Sequence, residues 1–242
     1  MNYPIIDSSK VKMSPAKAIM RFENILKRDG RKRALESDSF KKIRESWIAG
    51  VFILGYATLT KTKYWIQEIA PKEEPPDLII HSYRNPQLKG ELGVVKEQII
   101  TEIVEYPIHS KYDLVDHIKV KLKNKYYHPE TWLICYIQRP GEGMRLIDVI
   151  EGLQDIKARI REIWLLFHID GQLPSQFCIA RVYSKNMKIK ETPIMIKGDF
   201  IKLAQTPQAE FMNDSRGLDK EVTIRPGKTV IVPLPKDKTR KK

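Results

Sequence analysis

Two short runs, TWLICYIQ at 131–138 and EIWLLFHI at 162–169, constrain this chain more than any other feature. Each is almost wholly apolar, with none of the period-two alternation of a strand that has one wet face, and each is far too short to span a bilayer. Such runs fit the buried centre of a sheet covered on both sides. The segment between them, Leu146 to Arg159, reads as a helix.

Upstream lie three further strand-like runs, Tyr64 to Ile69, Asp77 to Tyr83 and Val94 to Tyr106, the last stopped by Pro107. Lys111 to Lys125 follows as an amphipathic helix with Leu114, Val115, Ile118 and Leu122 inward. Near the N-terminus, Ser14-Pro15 reads as an N-cap with proline at the first helical position, opening a helix that Asp29-Gly30 ends. Ser39 to Thr60 reads as a second helix, apolar on most sides and so expected deep in the core. Phe177 to Ser184 completes the regular part. The order predicts an α/β fold with a mixed central sheet flanked by helices. It divides into an arm and helix at 1–38, with 1–13 a loose arm, an α/β core at 39–184 and an appendage with a basic tail at 185–242, where Ile194–Ile196 and Thr229–Val232 suggest small strands or irregular structure. Pro71–Pro76, Arg84–Gly93 and Pro140–Gly143 read as turns or loops.

Charge points to the partner. Forty-three Lys and Arg stand against 30 Asp and Glu, a formal net charge of +13, and a surface of that sign attracts polyanions. The basic residues gather in Lys27–Lys42, Lys111–Lys125 and Lys236–Lys242, so DNA or RNA is the expected partner. The competing explanation is a lysine-rich proteome in which basic composition has no partner. No apolar run reaches the ~18–20 residues of a membrane span, and Asp7, Lys10 and Lys12 break any signal-peptide core. A cytoplasmic protein without a membrane partner is expected, and a homodimer is compatible with the fold class. Cys135 and Cys178 lie in apolar runs without metal-ligand spacing and read as buried thiols. Phosphate-loop, nucleophile-elbow, kinase and HExxH patterns are missing from the sequence.

The candidate chemistry lies in acidic residues set among strands. Asp77 opens the second strand after Pro76, and Glu102 sits inside the third. Residues two apart on a strand share a face, so Gln98, Ile100, Glu102 and Val104 face one way and Ile103 and Glu105 the other. Buried carboxylates need a partner; a salt bridge, an exposed strand end or a hard cation would each serve, and only the cation brings chemistry.

With Asp77 and Glu102 placed this way, the helix, three-strand, helix, strand order over Ile43 to Gln138 resembles the PD-(D/E)XK nuclease superfamily. The resemblance implies a restriction-endonuclease-like core, Asp77 and Glu102 as ligands of Mg2+ or Mn2+, and metal-dependent phosphodiester hydrolysis of DNA or RNA. It also implies a lysine two positions after the Glu, where this chain has Val104. Lys119, Lys121 or Lys123 of the next helix would then take that part, with Lys121 the chosen candidate. Glu45, beside Arg44, resembles the extra helical acid of some members and joins Glu105 as an additional metal ligand; it reads equally as an exposed Glu paired with Lys41 or Lys42. The rival functions are a nuclease-like module that binds nucleic acid or proteins without cleaving, and a structural protein of a phage or mobile element. Asp113 and His117 read as a surface ion pair, His81 and His109 as polar strand-end residues, His168 as a core histidine, and the four tryptophans as core or sheet residues.

Overall fold

In a computed structural model of the protein, the described residues are 12–69, 76–84, 94–107, 109–138, 144–156, 159–169, 176–185, 194–204, 211–212 and 230–232. The chain opens with β1 (Lys12–Met13), α1 (Pro15–Asp29), α2 (Arg31–Glu36), a single 3-10 turn and α3 (Lys41–Thr60). Then come β2 (Tyr64–Glu68), β3 (Leu78–Arg84), β4 (Val94–Tyr106), α4 (Leu114–Lys123), β5 (Thr131–Ile137), α5 (Leu146–Leu153), β6 (Glu162–His168) and β7 (Gln176–Ser184). Short elements follow: β8 (Met195–Asp199), α6 (Phe200–Leu203), β9 (Phe211–Met212) and β10 (Val230–Val232).

The strands form one mixed sheet in the order β8-β7-β6-β5-β4-β3-β2-β1-β9, with β10 on β4. Pairing follows connection. The helical crossovers α4 and α5 make β4–β5 and β5–β6 parallel, whereas the neighbours joined by short links, β2–β3, β3–β4 and β6–β7, run antiparallel. The expected α/β class, with helices on both faces of a mixed sheet, is the fold observed.

Every residue of β5 is buried, as its unbroken apolar run requires. Trp132, Ile134 and Tyr136 face α1 and α3, joining Phe22, Trp47, Phe52 and Trp164 in one core. Leu133, Cys135 and Ile137 face α4 and α5, where Ile118, Leu122, Val149 and Leu153 make the other. Ser14 caps α1 by accepting from the Lys17 amide at 3.2 Å. At Gly55 of α3 a methyl would meet the Phe200 ring at 2.5 Å, so the bare backbone there lets α6 dock.

Three boundaries differ from expectation. Lys12 and Met13 are paired in the sheet through β1 rather than free in an arm; a two-residue strand has no periodicity to announce it. The helix expected to reach Arg159 stops at Leu153, because by Arg161 the chain must already donate to the Thr131 carbonyl (2.9 Å) to enter β6 in register. The small strand expected near Ile194–Ile196 runs over Met195–Asp199 and, rather than staying in an appendage, pairs with β7 and extends the sheet. The remainder of the N-terminal arm, nearly all of the Pro71–Pro76 and Arg84–Gly93 segments, most of Pro140–Gly143 and the Lys236–Lys242 tail lie outside the described residues.

Candidate metal and nucleic-acid site

The β3–β4 ladder ends at the pair Leu78 and Thr101, while β4 runs on to Tyr106 paired with β5. This leaves a fork in the sheet. Asp77, the residue just before β3, would fall opposite Glu102 if the register continued. Its carboxylate fills the place of the absent strand: Oδ2 accepts the Ile103 amide at 2.9 Å. The proline at 76, which has no amide hydrogen to give a ladder, suits a chain leaving the sheet there.

Glu45 reaches the fork from the second turn of α3. It is 2% exposed, and Lys42, three residues earlier on the same helix face, binds it through Nζ–Oε2 at 2.9 Å. The same ammonium lies 3.3 Å from Asp77 Oδ1 and 3.3 Å from the Asp77 carbonyl, so Lys42 bridges helix and strand. Lys41 stands 3.7 Å from the other Glu45 oxygen. Glu45 thus has the expected lysine partners but is buried beside Asp77 rather than exposed, because α3 turns this face to the sheet.

Glu102 is the most deeply placed acid of the described residues, at 1% exposure. Lys125 donates to its Oε1 at 2.5 Å. Its Oε2 is buried with no hydrogen-bond partner among the described residues. Burial first, and then the charge of Asp77, push the Glu102 carboxyl up to about 7, against the pull of Lys125. Glu45 is raised for the same reasons, burial and then Asp77, with Lys42 opposing. Burial disfavours the charges on Lys42 and Lys125, but the surrounding carboxylates outweigh it and raise both. Tyr127, buried beside these acids, is raised by burial and by Glu102 and Asp77.

The lysine beside Glu102 is therefore Lys125 and not Lys121. Leu114, Ile118 and Leu122 turn one stripe of α4 to the core, which leaves the Lys121 side chain exposed on another face. Only past the helix end, at Asn124, does the chain bring a lysine back toward the sheet; the Tyr127 hydroxyl, donating to the Lys121 carbonyl at 3.3 Å, braces that return. Glu105 also leaves the cluster. It faces the α3 side, where Arg44 Nε binds it at 2.7 Å and Gln138 donates at 3.3 Å. Arg44 further donates to the Ala34 and Ser37 carbonyls, so this pair anchors the segment before α3 to β4. Val104, at the position where the family pattern has its lysine, is 5% exposed in the α4–α5 core.

The histidines lie elsewhere. Asp113 caps α4 by accepting from the Asp116 amide (2.8 Å), and His117 donates to the Glu105 carbonyl (3.1 Å), so they form no ion pair with each other. His81 is fully buried rather than at a strand end; Gln98 donates to its Nδ1 at 3.2 Å and its Nε2 donates to Gln67 at 2.9 Å. His109 is exposed. His168 lies against the Phe177 ring, and both cysteines are free and buried.

Among the described residues no group of three or more His, Cys, Asp or Glu is drawn together tightly enough to form a ready metal cage. Two of the acids, Asp77 and Glu102, carry the oxygen donors that a hard divalent cation takes, and Glu102 Oε2 is a buried acceptor with no donor among the described residues. Comparisons with protein-family models, curated proteins and solved structures find no match. No helix among the described residues is long and apolar enough to cross a membrane.

Proposed function

We propose that this protein is a divalent-metal-dependent nuclease with a restriction-endonuclease-like core, acting on DNA or RNA at the β3–β4 fork. The observation that carries the reading is Glu102 Oε2, a buried carboxylate oxygen with no donor among the described residues, beside a second acid, Asp77. Asp77 and Glu102 would hold Mg2+ or Mn2+, with Glu45 as a further ligand. Such an ion supplies Lewis acidity at a phosphodiester and acidifies its water.

The chain's own residues prepare the site. The Ile103 amide fixes Asp77 Oδ2 and leaves Oδ1 toward Lys42. Lys42 and Lys125 hold the acids together at the cost of little net charge, and either ammonium is placed to neutralise a phosphate oxygen entering the fork. Lys125 takes the part first sought on α4. The basic stretches Lys27–Lys42 and Lys111–Lys125 each end at a lysine of the fork, which suits a polyanionic substrate.

The test is cleavage of labelled single- and double-stranded DNA and RNA in Mg2+ and Mn2+. Asp77→Asn and Glu102→Gln are each expected to abolish metal-dependent cleavage while keeping the fold. A wild-type protein that leaves every substrate intact in both metals overturns the reading. Core burial of Val104 supports the second reading, a non-cleaving nucleic-acid-binding module of the same fold; that module binds the substrates and cuts none.

A further inference from the structure

The coil that returns Lys125 to Glu102 also carries the most exposed large aromatic side chain of the described residues. Tyr126 is 64% exposed, whereas its neighbours on both sides turn to the acids: Lys125 donates to Glu102, and Tyr127 is buried within reach of Glu102 and Asp77. Adjacent Cα atoms are only ~3.8 Å apart, so the Tyr126 backbone lies between two residues that face the fork, and its ring turns the other way, to the solvent beside it. It does not wave there as a lone surface tyrosine. Arg159 Nη1 donates to its hydroxyl at 2.8 Å, and the guanidinium lies 5.7 Å from the ring centre. Arg159 is exposed, and so are Lys121, Lys123 and Lys125 of the segment that leads into Tyr126.

An ordered aromatic ring on a cationic segment, one residue from a candidate catalytic lysine, matches one class of ligand. The ring offers a stacking platform to any nucleobase, and the cations hold the phosphates on either side. A base inside a duplex is already stacked on both faces, so the platform rewards only an unpaired one. We propose that Tyr126, oriented by Arg159, binds an unpaired base of a single-stranded segment and so directs single strands or strand junctions to the fork. This deepens the nucleic-acid reading of the site and rests on it.

The test is binding without chemistry. With EDTA present, fluorescence anisotropy would follow the full-length protein on labelled single-stranded DNA, single-stranded RNA and blunt duplex DNA of about a dozen nucleotides. A stacked base contributes roughly 1–3 kcal/mol, so Tyr126→Ala is expected to weaken single-strand binding about tenfold and to change duplex binding less than twofold. Tyr126→Phe should restore nearly all of the loss, since the ring is kept. The arm that shows the effect, DNA or RNA, names the sugar. Equal losses on single strand and duplex, no loss on either single strand, or no single-strand binding by the wild type overturns the proposal. Because no metal is present, that failure is separate from a failure of cleavage, which is read with the wild type in Mg2+ or Mn2+.

Discussion

At the residue scale the fork is defined by two glutamates, Glu45 and Glu102, that resist ionisation and by lysines that make it tolerable. Glu102 illustrates the balance. Its folded pKa is raised to about 7 by burial and by Asp77, well above the value near 4.3 of a free Glu. A raised carboxyl contributes stability that is complete below the unfolded pKa and is lost as pH climbs through the folded one. The Tm advantage of Glu102→Gln over the wild type should therefore grow from about pH 4.5 to about pH 7 and then level off, as thermal melts across that range would show; a constant difference would mean that Glu102 ionises freely. Adding Mg2+ above pH 7 should raise the wild-type Tm and leave that of Glu102→Gln unchanged, because a ligand stabilises only the state that binds it. The two candidate lysines separate just as cleanly. Lys125→Met should lower the cleavage kcat by about 100-fold or more, in the range of one lost charge-stabilising group. Lys121→Met, exposed on α4 and away from Glu102, should leave kcat within about twofold.

At the scale of elements, much of the architecture was legible in the sequence, and the reasons lie in particular residues. The full span of β4 could be read because β-branched residues recur from Val94 to Val104 and Pro107 ends the run. The burial of β5 on both faces followed from the missing polar positions at 131–137. Asp77 and Glu102 were recognisable as acids where apolar residues would be expected. Lys125 was not, because reach across a coil depends on where α4 ends against the sheet, and no periodicity encodes that. Glu105 looked eligible beside Glu102 until its partner Arg44, 61 residues away, came into contact with it. The structure also changes what Val104 can tell. A lysine restored by analogy at this position would lie among Leu133, Cys135 and Ile118, where an unpaired ammonium is costly. Val104→Lys should destabilise the protein by about 2–4 kcal/mol without gaining activity, measurable as a lowered denaturation midpoint. An unchanged midpoint would show that the side chain escapes to solvent.

For the whole molecule the deciding quantity is how charge is distributed around the fork. A net charge of +13 guarantees some attraction for any polyanion, so affinity alone distinguishes nothing. Position does. On α2, Arg31, Lys32 and Arg33 are exposed, and on α4 so are Lys119, Lys121 and Lys123; the two groups belong to the basic stretches that end in Lys42 and Lys125. A substrate bound across the fork would touch both groups, and each duplex phosphate neutralised lowers log K by about 0.9 per decade of salt. Replacing Lys119 and Lys123 with Gln should therefore reduce the slope of log K against log salt by up to about 1.8, with no change in Tm since both side chains are solvated. The same double replacement on α2, at Lys32 and Arg33, should reduce it again by a similar amount, because well-separated contacts add. If the α4 change lowers the slope and the α2 change does not, the bound strand lies on one side of the fork. If neither moves it, binding is carried by charges outside both helices, and the fork is then not where nucleic acid meets this protein.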